Sequence, residues 1–104
     1  MSARMDRLEF YRETVEIADV DQDSVYIGVV PGDWRWTLVA AENGKKLAWS
    51  EGYRRRIDAV RNAARVLGVD DHYIESAVRF AAREGGDAFT DDRFGTVLVV
   101  VVKP

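Results

Sequence analysis

Trp34-Arg35-Trp36-Thr37-Leu38-Val39-Ala40-Ala41-Glu42-Asn43-Gly44-Lys45-Lys46-Leu47-Ala48-Trp49-Ser50-Glu51-Gly52-Tyr53 decides the fold. Asn43-Gly44 stands between two alternating runs, and Asn-Gly suits a type I′ turn, in which both central residues take positive φ. A two-residue turn would set Leu38 opposite Trp49, Ala40 opposite Leu47 and Trp36 opposite Glu51. Opposed residues share a face. That register puts Trp34, Trp36, Leu38, Ala40, Leu47 and Trp49 on one large apolar face. Arg35, Thr37, Val39, Ala41, Lys46, Ala48 and Ser50 make the smaller, more polar face. A slip of one residue would exchange the faces. The apolar face requires a cover, and the chain supplies helices downstream.

After Tyr53 the apolar period lengthens. Ile57, Val60, Ala64 and Leu67 follow helical spacing, and Gly68 is placed to stop that helix. Asp70-Asp71 opens a second helix with the stripe Ile74, Ala77, Val78 and Ala81, ended by Gly85-Gly86. Upstream, Leu8–Arg12 reads as a strand, Val15–Val20 alternates weakly, and Ser24–Val30 is rich in β-branched residues. Pro31-Gly32-Asp33 has turn chemistry, so Val30 and Trp34 are expected to flank a hairpin. Asp87–Arg93 reads as a polar loop and Phe94–Val102 as a final strand. The expectation is one α+β domain: a mostly antiparallel sheet with helices Arg54–Leu67 and Asp71–Glu84 on one face.

Leu8-Glu9-Phe10-Tyr11-Arg12, Trp34 to Ala41, Asn43-Gly44 and Ala48-Trp49-Ser50-Glu51-Gly52-Tyr53, followed by a helix, together resemble the YegP-like domain family of unknown function. The resemblance covers about residues 8–67. It implies a unit made of a strand, a hairpin with Asn-Gly at its tip, a Ser-(Ser/Glu)-Gly-Tyr exit and a helix. It also implies a tandem or homodimeric arrangement, and it carries no established activity. This chain departs from the pattern in three places. A β-ribbon is inserted at residues 14–32, Arg54-Arg55-Arg56 opens the helix, and a helix-strand extension fills residues 69–104 where a second copy could stand.

Composition narrows the function classes. The 104 residues suit a single domain that is 47% hydrophobic and 32% charged, an ordinary globular balance. The longest apolar run, Val97–Val102, is strand-sized and far short of a bilayer span. The N-terminus is charged from Arg4 and lacks a signal-peptide apolar region, so a cytoplasmic location is expected. Absence of cysteine removes disulfides, thiolate nucleophiles and zinc-thiolate sites. The net charge of −3 works against general nucleic-acid affinity and leaves room for a local basic patch.

Catalytic patterns are missing. Asp19, Asp21 and Asp23 alternate like calcium ligands, yet an EF-hand would need Gly at Ser24 and Glu at Val30. His72, the single histidine, sits beside Asp70 and Asp71 with no nucleophile motif, and reads as a surface residue. No catalytic residue, metal ligand or cofactor is expected. Arg54, Arg55 and Arg56 oppose the dipole of the helix they open. They either pair with Glu51, Asp58 or a partner subunit, or bind an anion such as phosphate together with backbone N–H groups.

The last strand raises the question of assembly. It is apolar at both Val97, Val99, Val101 and Leu98, Val100, Val102, so both faces need cover. Two short helices serve one side. A homodimer is therefore expected, with Val97, Val99, Val100 and Val101 at or beside the interface, packed against Val39 and Ala48. The leading expectation is a non-enzymatic, homodimeric interaction module, which could also take another protein partner. A phosphate- or nucleic-acid-binding module comes second and an enzyme last.

Overall fold

In a computed structural model, which describes residues 5–20, 24–91 and 95–102, the chain forms five strands and two helices. They are β1 (Asp6–Val20), β2 (Val25–Val39), β3 (Lys46–Trp49), α1 (Arg56–Leu67), α2 (Asp71–Glu84), β4 (Asp87–Asp91) and β5 (Gly95–Val101). The sheet order is β3-β2-β1-β5-β4. Only the β1–β5 pair is parallel; the other neighbours are antiparallel. The fold is α+β, with the helices packed against the sheet. No described helix is long and apolar enough to cross a membrane.

Both helices end where their chemistry dictates. Gly68 takes the left-handed conformation, and the Val69 N–H donates to Ala64 O, closing α1. The Asp70 carboxylate accepts from the His72 N–H at 2.8 Å and caps α2. α1 starts at Arg56 rather than Arg54, with an extended Arg55 as an N-cap that makes no side-chain cap bond. Ala59, Val60, Ala63 and Leu67 of α1 meet Ile74, Ala77, Val78 and Ala81 of α2 over one face of the sheet. Leu8, Phe10, Trp36, Leu38, Phe89, Val97 and Val99 rise from that face into the same core.

The hairpin register differs from the expected one. Ala40 N–H donates to Lys45 O and Gly44 N–H to Ala40 O, so the loop holds four residues, 41–44. Gly44 has φ +67°, and no described non-glycine residue has positive φ, which excludes a type I′ turn at Asn43-Gly44. Leu38 pairs with Ala48 and Val39 with Lys46, leaving Leu47 as an extra, exposed residue. Thr37 consequently pairs with Trp49. This one-residue shift turns Trp49 away from Trp36 onto the face opposite the helices, where it is 69% exposed. Because a Cβ at Gly44 would meet nothing, Gly44→Val acts through the backbone alone. It should lower stability by about 1–2 kcal/mol, read from the denaturant midpoint.

Pro31-Gly32-Asp33 does not turn the chain. β2 runs through it, and two residues, Gly32 and Asp33, oppose the single Glu13 between the pairs Arg12–Trp34 and Thr14–Pro31. A Cβ on Gly32 would come within 2.9 Å of Val15 Cγ2, so the close approach requires glycine. Asp87–Asp91, expected as a loop, is instead the edge strand β4, whose Phe89 reaches the core.

Candidate functional site

β1 and β2 outrun their neighbours. β1 pairs with β5 only over Asp6–Phe10, and β2 pairs with β3 only over Thr37–Val39, with one further bridge from Trp34 to Tyr53. Beyond them, Thr14–Val20 pairs with Val25–Pro31 as a two-stranded ribbon. The chain extends 61 Å along its longest axis, and its radius of gyration is 16.5 Å. A compact domain of this length would have about 13 Å.

The pairing divides the ribbon into two faces. Val15, Ile17 and Val30 share one; Ala18, Val20, Val25, Ile27 and Val29 share the other. All of them are exposed, Ile27 by 71%. Isolated two-stranded ribbons are marginal in water, and apolar side chains on both faces add to the cost of exposure.

The sheet face opposite the helices is also open. Its rows contain Val39, Arg7 and Leu98, then Trp49, Thr37, Glu9 and Val100. Here Arg7 pairs with Glu9 at 2.7 Å and Arg35 with Glu13. Thr37 Oγ1 donates to the Tyr11 hydroxyl at 3.4 Å, and Thr37 and Val39 are the buried residues of this face. A shallow trough of about 740 Å³ crosses this face, lined by Arg7, Tyr11, Arg12, Val39, Lys46 and Val102 among others.

β5 is split accordingly. Val97 and Val99 are fully buried beneath the chain's own helices, and Val101 packs on the same core. Of the four valines read from sequence as interfacial, Val100 alone lies on the open face, flanked by Leu98 and the exposed Val102. Val39 faces the same side, whereas Ala48 turns toward the helices with Leu38.

The arginine cluster is dispersed. Arg55 Nε donates to Asp58 Oδ2 at 2.9 Å, a bond that raises the Arg55 pKa above its ordinary value. Arg56 lies over the Trp34 ring at 5.8 Å from its centroid, and Arg12 at 6.0 Å. Arg54 is exposed and makes no ion pair among the described residues. Arg55, Arg56 and Trp34 border a cavity of about 530 Å³ with Arg79 and Glu75 of α2. This pocket offers cations and a ring face, with one carboxylate opposing an anion.

His72 is exposed, and its described contact is made by its backbone. No group of three or more potential metal ligands occurs among the described residues. Asp21 and Asp23 lie outside the described residues, as does Asp92. Reading the sequence for a compact core missed Trp49 and the exposed ribbon. The ribbon's signal was present: Val25, Ile27 and Val29 alternate with residues that include Val30, so neither face is polar. No protein-family model, curated protein or solved structure matches this chain.

Proposed function

We propose that the protein is a non-enzymatic interaction module that acts as a homodimer, in the cytoplasm that its composition suits. The observation that carries this reading is the ribbon, whose two apolar faces stand clear of the domain. Among the described residues nothing of the same chain packs on them, and the sheet face that carries Trp49 and Val102 is open on the body from which the ribbon itself extends. The similarity of residues 8–67 to the YegP-like domains supports the same reading, since single-copy members of that family pair. Light scattering on a size-exclusion column should give the mass of two chains at micromolar concentration. The mass of one chain would overturn the proposal.

A second reading has its own observation. Arg56 stacked on Trp34, beside Arg79 and the uncapped start of α1, suits a phosphate-bearing ligand. Replacing Arg54, Arg55 and Arg56 together with Gln should then abolish retention on heparin at low salt. If the unaltered protein is not retained, this reading falls.

A further inference from the structure

We infer that, in the homodimer proposed above, the ribbon of each copy lies across the open sheet face of the other. The two surfaces fit in length. Residues 14–20 rise about 3.3 Å each, giving a ribbon of roughly 20 Å, and a five-stranded sheet with strands about 4.8 Å apart is roughly 19 Å wide. A ribbon crossing the strands near a right angle therefore spans the sheet from β3 to β4, in a known mode of sheet packing. The ribbon projects from its own sheet, because β1 and β2 each continue as one strand from the sheet into it past the bulge at Gly32-Asp33. Two-fold exchange covers the Val25, Ile27 and Val29 face of each ribbon and the open sheet face of each chain with one contact type.

Charge selects this arrangement over the others. Residues 13–31 contain Glu13, Glu16, Asp19, Asp21 and Asp23 and neither lysine nor arginine. Glu13 is already paired with Arg35, while Glu16 forms no ion pair among the described residues. Pairing two ribbons side by side would gather these carboxylates, and so would laying the ribbon on a phosphate backbone. The trough presents Lys46, unpaired among the described residues, together with Arg12. The face carrying Val25, Ile27 and Val29 meets Val100, Val102 and Trp49, and Glu16, on that same face, meets the basic border of the trough.

A chain without cysteine allows a direct test. Ile27→Cys and Val102→Cys are made separately at exposed positions, one carrying an affinity tag, and both are checked for native circular dichroism. Mixed and treated with a short bismaleimide, they should give a tagged–untagged covalent dimer several-fold above the dimer formed by either alone. Ile27→Lys with Val29→Lys should remain folded and weaken dimerisation at least ~10-fold. Efficient self-linking of Ile27→Cys would show ribbon-to-ribbon contact and overturn the inference. A dimer mass with no ribbon-to-sheet link would also overturn it and leave the homodimer standing. A monomer mass would overturn both.

Discussion

Trp36→Ala should cost the domain a large share of its stability, whereas Trp49→Ala should leave the stability of the isolated domain nearly unchanged. The two indoles lie in the same hairpin and differ completely in surroundings. Trp36 is 0% exposed between the sheet and the helices, and its Nε1–H donates to Asn62 Oδ1 at 2.9 Å. Truncation removes a large apolar volume and leaves the Asn62 oxygen without its donor. Cavity formation at such a site costs about 3–5 kcal/mol, and a domain of this size has roughly 5–15 kcal/mol in total. Trp49 is mostly solvent-exposed in one chain, so its loss should cost under about 1 kcal/mol there and act on self-association. Urea denaturation of both variants, at concentrations below and above dimerisation, separates the two roles. Equal losses of stability in dilute solution would place both indoles in the core and contradict the register described above.

The sequence carried the helices more faithfully than the register. Ile57, Val60, Ala64 and Leu67 can share one face only in a helix, and Gly68 has few other uses at that point, so periodicity and punctuation agreed. The hairpin gave no such redundancy. Asn43-Gly44 supports a two-residue turn and equally a four-residue loop with glycine at its left-handed position, and Leu47 is apolar whether it is paired or bulged. What decided between them is the ladder at Ser50. Its hydroxyl accepts from the Trp36 N–H at 2.9 Å and donates to Glu51 O, while the Ser50 N–H donates to Trp36 O. These bonds depend on how the strand leaves the sheet toward Tyr53, which no local pattern encodes. Pro31-Gly32-Asp33 failed for a related reason. Turn residues and bulge residues are the same residues, and only the continuation of pairing on both sides distinguishes them. The ribbon was read as an insertion, but whether it folds back or projects depends on the extent of β3 and β5, not on its own residues. The arginine cluster was legible as unusual. Its division among Asp58, Trp34 and solvent follows from where α1 begins.

Val99→Lys should abolish folding, and Val100→Lys should yield a folded chain that no longer dimerises. Adjacent residues of a strand point to opposite faces, and in β5 those faces have different neighbours. Val99 pairs with Leu8 of β1 and Asp87 of β4 and is 0% exposed beneath the helices. An ammonium group there would be buried among the apolar core residues, with only the half-buried Asp87 opposite it on the edge strand to oppose its charge. Burying it costs more than about 4 kcal/mol, which approaches the whole stability of the domain. Val100 pairs with Glu9, on the open face, where a lysine side chain can reach solvent and stand beside that carboxylate. Its cost to a single chain should stay within about 1 kcal/mol. In the dimer the same lysine would be trapped beneath the partner's ribbon, so dimerisation should weaken at least ~10-fold. Circular dichroism with light scattering reads both outcomes. A soluble, folded Val99→Lys would show that the helices do not cover this strand. A folded dimer of Val100→Lys with unchanged affinity would show that the open face is not the contact surface, because a buried charge in an apolar contact cannot be neutral to affinity.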